Sequence, residues 1–262
     1  MNGLANRLLG AHVAVVFGFL YTPIILMGLF SVDRSPLIAF PLQGFTLDWY
    51  VQVLGDGRIL GGLGTTFLVA GPVTLITTAL GTAAAFVLVR GRGIWRLIFA
   101  IQLALPFFLP RIVFAIGQVT LHAELDIDRS LVTLWIAESL IILPFATIIV
   151  ASVLIGVDRR LEEAAADLGA SGLQTFRLVT LPLIRNGILA AAFIAFVLAT
   201  AEYTVAFFTS GRQQPLAVLI ASDFRFDLSP KLNALAMLIV VFNILVIVLS
   251  EAVRRRRSAL TS

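Results

Sequence analysis

Six long apolar stretches constrain this chain more than any other feature. They run at about Ala11–Val32, Leu63–Val89, Leu97–Leu121, Leu131–Gly156, Gly187–Phe208 and Leu232–Ser250. Each is long enough to cross a hydrocarbon layer, which takes roughly 17–25 residues of helix. Backbone polar groups in lipid find no water, so a spanning segment pairs them internally as a helix or a closed barrel. The stretches lack the ten-residue alternation of a barrel, and they predict six transmembrane helices in an all-α membrane protein. Only 13% of the 262 residues are charged and the mean hydropathy is +1.01, whereas a soluble domain carries about 25% charged residues. The first stretch is too long for a signal peptide and no small-residue cleavage site clearly follows it, so it reads as an anchoring helix.

Arginine sets the orientation. Twelve basic residues fall on one set of ends: Arg7, Arg90, Arg92, Arg96, Arg159, Arg160, Arg177, Arg185 and Arg254 to Arg257. Six fall on the opposite loops: Arg34, Arg58, Arg129, Arg212, Arg225 and Lys231, the sole lysine. The positive-inside bias places both termini in the cytoplasm, as an even number of spans requires. The basic isoelectric point therefore signals topology and not nucleic acid. No cysteine is present, which excludes a disulfide framework and a thiol nucleophile. His12 and His122 lie near opposite faces with no metal-protease spacing, so neither an intramembrane enzyme nor a metal site is expected. The outer loop Asp33–Gly62 includes Gly44–Tyr50, a candidate short interfacial helix with aromatic anchors. A second long outer loop runs from Gly211 to Pro230.

One cytoplasmic stretch is long enough to be structured: Val157 to Leu183, VDRRLEEAAADLGASGLQTFRLVTLPL. Asp158 is a candidate N-cap for a helix over Arg159–Leu168. Glu162 and Glu163 sit near its N-terminal end, where negative charge suits the helix dipole. Ala164, Ala165 and Ala166 favour helix and add almost no bulk. Gly169 permits a tight turn, a second helix follows near Gly172–Val179, and Pro182 opens the fifth span. The product is a smooth helix pair that another protein's backbone can approach closely. A headgroup-resting helix needs large apolar residues and a Lys/Arg-rich face, which this stretch lacks.

The sequence EEAAADLGA followed by FRLVTLP resembles the coupling-loop signature of binding-protein-dependent ABC importer permeases. The matching positions are Glu163, Ala164, Ala165, Gly169, Leu181 and Pro182, and Glu162 and Ala170 flank them. GFTLDWY, LGTAAAFVLVR, LPFFLPRIVFAIG and LNALAMLI are similar to the spermidine/putrescine branch, second-permease kind. The resemblance covers nearly the whole chain. It implies the type I ABC importer transmembrane-domain fold, a single permease domain over residues 1–262 and a place in a bacterial inner membrane. It also implies two ATPase subunits that use ATP and Mg, a second and different permease subunit, and a periplasmic binding protein. The chain itself would bind no cofactor and catalyse nothing. It has no phosphate-cradling Gly-x-x-x-x-Gly-Lys-Ser/Thr loop, and Lys231 follows DLSP on the outer side. The alternative class is a self-sufficient secondary transporter or channel, which often carries inverted repeats; this sequence has no internal symmetry.

Ionisable residues inside spans are costly and default to functional candidates. Arg111 follows Pro106 and Pro110, which can break the third helix. Glu202 lies beside Tyr203 in the fifth span. Two readings of Arg111 and Glu202 stand together: substrate contact, or a structural pair between spans. Glu138 reads as structural and His122 as solvated at the start of an outer loop. The polyamine branch tends to carry an acidic residue where Arg111 stands and an Asp-Asp-like pair where Ala201-Glu202 stands. An unpaired arginine repels a cation in a low-dielectric cavity and suits a carboxylate or phosphonate. That departure points towards an opine, an aminoalkylphosphonate or an amino-acid derivative beside polyamines.

Overall fold

The computed structural model describes residues 3–226 and 229–259. Among them the regular structure is helical, apart from one isolated antiparallel bridge between Asp33 and Phe45. The chain divides into two compact units, Met1–Leu60 with Ser222–Ser262, and Gly61–Ala221.

In the first unit, α1 (Gly3–Ser31) packs on α12 (Pro230–Ala259), and α12 also meets α2 (Asp48–Gly55). Gly28 lets α1 approach Met237 closely. The aromatics expected as interfacial anchors are turned back onto the end of α1: Trp49 Nε1 donates to the Asp33 carbonyl at 2.7 Å, and the Tyr50 hydroxyl is 2.7 Å from Ser31 Oγ. The buried Asp33 carboxylate accepts from the Gln43 amide at 2.8 Å. The helix begins at Asp48, and Gly44–Leu47 is not part of it. Lys231 Nζ reaches Asp56 Oδ2 at 2.6 Å, and Arg58 pairs with Asp223 at 2.9 Å. The hydrogen bond from Lys231 holds the Asp56 carboxyl below its ordinary value of 3.8.

In the second unit, α3 (Gly57–Arg90) leads to α4 (Ile94–Phe108), α5 (Arg111–Glu124) and α6 (Leu131–Ile155). A short pair follows, α7 (Arg159–Asp167) and α8 (Gly172–Thr175), and then α9 (Leu181–Thr200) and α10 (Thr204–Thr209). The last helix of this region is α11 (Leu216–Phe226), which replaces the plain loop expected after Gly211. α6 is apolar all round and is the central helix, packed on α9, α10 and α4, as such a helix must be in a bundle. The core joins Val69, Val73, Leu134, Ile142, Ala195 and Ala199. Small residues permit close helix contact, as is usual in membrane bundles: a Cβ on Gly81 would stand 2.9 Å from Ala146 Cβ, and one on Gly187 would stand 2.8 Å from Val153.

Pro72 sits inside α3. It has no N–H to give the Leu68 carbonyl, which lies four residues before it. Trp135 Nε1 of α6 supplies the missing donor at 3.1 Å. The break is thereby repaired by a neighbouring helix, as the bilayer demands.

Among the described residues, four helices are long and apolar enough to cross a membrane: Asn6–Ser31, Gly57–Arg90, Leu131–Ile155 and Gly172–Thr200. A fifth is counted if the bent pair Arg96–Phe108 and Arg111–Glu124 is one span. That pair bends by 108°, so the third span is two helices parted at Leu109–Pro110, beside the prolines expected to break or kink it. The sixth expected span lies on α12, where Pro230–Phe242 is a shorter apolar helix. Many side chains of α12 beyond Phe242, including Arg254 to Arg257, lie outside the described residues, as does the side chain of Arg225. Large apolar side chains stand exposed along α1, among them Phe19 at 79%. A surface of that kind is solvated by lipid or covered by another protein.

Candidate functional site: the coupling loop and an arginine–glutamate pair

The loop signature is written into local backbone chemistry. Asp158 Oδ1 accepts from the Arg160 amide at 2.9 Å and caps α7 as expected. Gly169 has φ of +86°, the left-handed region where a side chain is strained. Around it the Ala170 amide donates to the Ala165 carbonyl at 3.0 Å and the Gly169 amide to the Ala166 carbonyl at 2.9 Å. These two bonds are the Schellman closure of a helix on glycine. Ser171 then caps α8, donating its amide to Gln174 and accepting Gln174's amide in return. Glycine six residues after Glu163 is therefore a geometric requirement of the turn.

The two glutamates have different surroundings. The Glu163 side chain is 61% exposed and pairs with Arg159, four residues earlier, at 3.2 Å. The Glu162 side chain is 19% exposed and turns inward to Arg90 and Thr180. Leu168 stands 90% exposed at the tip, with Leu161 and Leu173 also exposed. Ala164 and Ala165 are open to contact, with Ala165 partly covered.

Pro182 does not interrupt the chain. α8 passes into a wide turn at Phe176–Thr180, in which the Leu181 amide donates to the Phe176 carbonyl five residues earlier. Wide turns of this kind often mark functional sites. Pro182 lacks the N–H that the Leu178 carbonyl would need, and the wide turn lies directly ahead of it. Gly172–Thr200 is consequently one 29-residue helix. It ends before the expected limit of Phe208, so Glu202 and Tyr203 lie in a break between α9 and α10 instead of within a span.

Arg111 and Glu202 meet. Arg111 Nη1 is 2.5 Å from Glu202 Oε2, with side-chain exposures of 49% and 2%. Glu202 Oε1 also accepts from the Val205 amide at 3.0 Å, which ties down the start of α10. Both residues stand at helix breaks, where side chains and freed backbone groups converge. Tyr203 packs on Phe207, ring centroids 5.7 Å apart. Glu138 is buried in α6, and neither carboxyl oxygen has a hydrogen-bond partner among the described residues. His122, expected in solvent, is instead buried within α5, which runs on to Glu124. The inward contacts of Glu162 are absent from the sequence reading, because their partner Arg90 lies 72 residues earlier.

Comparisons with known proteins agree with this architecture. The chain is 32% identical over 231 residues to the putrescine transport system permease protein PotI of Escherichia coli (strain K12), covering 85% of this chain and 82% of that one. It is 28% identical over 251 residues to the spermidine/putrescine transport system permease protein PotC of Haemophilus influenzae, covering 95% and 96%. A bacterial ABC transporter that imports the acidic polysaccharide alginate superimposes with a TM-score of 0.70 at 18% identity, over 97% of this chain and 98% of that one. An amino acid ABC transporter with histidines gives 0.56 at 20%, over 80% and 100%. The fold is that of type I ABC importer permeases. Residues 77–259 match the family of binding-protein-dependent transport system inner membrane components, and the chain belongs to that family.

Proposed function

We propose that this chain is one permease domain, with six spans and both termini in the cytoplasm, that forms half of the path for a polyamine of the putrescine/spermidine class. It does so in a bacterial inner membrane. Two separate ATPase subunits hydrolyse ATP with Mg and dock on Glu162, Glu163, Ala164, Ala165, Gly169, Ala170, Leu181 and Pro182. A second, different permease subunit completes the path, and a periplasmic protein delivers the solute. The chain itself is not a catalyst and binds no cofactor.

The observation that carries the docking reading is the exposed tip of the α7–α8 pair. Leu168 and Leu173 stand exposed on a polar loop whose turn is closed by the Gly169 and Ala170 amides. Exposed apolar residues on an ordered turn favour a partner surface. The case for an anionic solute rested on an unpaired arginine. Arg111 is paired with Glu202, so that premise is gone. The named transport systems of PotI and PotC favour a cationic amine. The Arg111–Glu202 pair and Tyr203 are offered as the lining of the path, with the arginine holding the carboxylate until an ammonium competes for it.

The test is uptake of radiolabelled putrescine by the assembled transporter in proteoliposomes. Glu163→Lys and Gly169→Asp should abolish uptake and ATPase recruitment while leaving membrane insertion intact. Wild-type transport in both variants would contradict the coupling assignment. Stimulation of ATPase activity by an opine or aminoalkylphosphonate, but not by putrescine or spermidine, would contradict the solute.

A further inference from the structure

At the inner end of the second unit, the end of α3 and the wide turn ahead of α9 both reach the Glu162 carboxylate of α7. Arg90, the last residue of α3, approaches it with two nitrogens: Nη2 is 3.4 Å from Oε1 and Nε is 3.4 Å from Oε2. The same Nη2 donates to the Val157 carbonyl in the turn before α7 at 3.1 Å. Thr180, in the wide turn ahead of α9, donates its hydroxyl to Glu162 Oε1 at 3.0 Å. Beside this cluster Phe86 of α3 meets Phe176 edge-on, centroids 5.5 Å apart. The Arg90 and Glu162 side chains are each about one-fifth exposed, 20% and 19%, so water screens the pair less than it screens Arg159–Glu163.

We propose that Arg90, Glu162 and Thr180 form a clamp that makes the α7–α8 pair a rigid lever on α3 and α9. These are positioning residues, and the inference rests on the ATPase-coupling reading given above. An isolated nine-residue helix such as α7 is marginal without tertiary support. Its apolar anchoring is slight, since Leu161 and Leu168 point outward. Polar contacts must then hold it in place, and among the described residues those that cross to other helices are on Glu162. Arg90 fixes it to the end of α3, and Thr180 fixes it to the helix that continues to Thr200. The division of labour follows: Glu163 and the leucines face outward, whereas Glu162 carries the motion inward. A broken clamp leaves the outward face able to dock an ATPase, but the stroke is spent on bending the loop. The signature phenotype is hydrolysis without transport, which differs from the loss of docking expected for Gly169→Asp.

The experiment measures putrescine uptake per ATP hydrolysed in proteoliposomes holding the whole transporter. Arg90→Glu and Glu162→Arg should each lower that ratio about tenfold, the equivalent of one charge-assisted hydrogen bond; in Arg90→Glu, which lies outside the docking residues, ATPase activity should still be stimulated by the loaded binding protein. The double reversal R90E/E162R restores the opposite charges and should recover most of the ratio. An unchanged ratio in the single variants, a double variant no better than either, or ATPase activity falling in step with uptake in Arg90→Glu would overturn the clamp. If the reversals fail to assemble, Thr180→Val and Arg90→Gln decide: the first removes one hydroxyl contact and keeps the bulk, and the second removes the cation that faces Glu162. A ratio lowered a few-fold supports the clamp, and a ratio equal to wild type overturns it. Wild-type liposomes that take up putrescine equally with and without ATP would defeat the coupling reading itself, a result separable from any of these.

Discussion

The Arg111–Glu202 pair predicts an asymmetry between its two halves. Arg111→Met removes the cation and leaves a carboxylate with 2% of its side chain exposed and the Val205 amide as its remaining donor. Removing one partner of a buried pair typically costs about 3–5 kcal/mol, because an uncompensated charge stays behind. Glu202→Gln is milder. The amide oxygen still accepts from Val205, and Arg111, at 49% exposure, can turn towards the open side. Replacing a charge-assisted bond by a neutral one costs roughly 1–1.5 kcal/mol. With about 2–4 °C of melting temperature per kcal/mol for chains of 150–250 residues, Arg111→Met should lower the midpoint by roughly 10 °C and Glu202→Gln by about 4 °C. The double variant R111M/E202Q buries no charge and should melt above Arg111→Met alone. The assay is the thermal midpoint of the detergent-solubilised assembly, followed by size-exclusion chromatography. A larger loss in Glu202→Gln than in Arg111→Met, or a double variant below both, would refute the reasoning.

Three further outcomes are expected. Trp135→Phe strips the donor from the Leu68 carbonyl that Pro72 leaves unpaired, costing about 1–3 kcal/mol in the same melting assay; no change would mean that the proline break needs no repair. Gly81→Ala places a methyl 2.9 Å from Ala146 Cβ and 3.1 Å from the Thr147 amide nitrogen, and forcing α3 from α6 should cost about 1–3 kcal/mol in reversible detergent unfolding; a neutral result would deny the close approach. The Asp56 carboxyl is held below its ordinary value of 3.8 by Lys231, so the stability from this contact is present above that value and lost as pH falls through the lower folded one. Lys231→Met should be less stable than wild type at neutral pH, and the two curves should converge below about pH 3.8; a constant gap across that range would remove the linkage.

The loop was legible in the sequence because its determinants are local. Asp158 caps the amide two residues on, and Gly169 closes a turn whose bonds reach back three and five residues. The apolar stretches were equally plain, since length and composition alone define a span. What escaped was long-range. The fate of Arg111 depended on Glu202, 91 residues away, and a sequence reading could only leave pairing and solute contact side by side. Glu162 took its role from Arg90 at a separation of 72 residues. Pro182 was expected to open a new helix, but the wide turn at Phe176–Thr180 ahead of it carried the chain through. His122 was expected in water because polar residues near span ends usually are, whereas α5 extends past it.

The unbroken run from Gly172 to Thr200 has a mechanical meaning. At 1.5 Å per residue, 29 residues make a rod of roughly 43 Å, longer than the oily layer is thick. A rod transmits twist and tilt with little loss, so its two tips cannot be moved independently. One tip holds Ser171 and the turn where a motor would push; the other opens directly onto Ala201 and the acid at 202. Whatever turns the lower tip therefore also re-aims that acid.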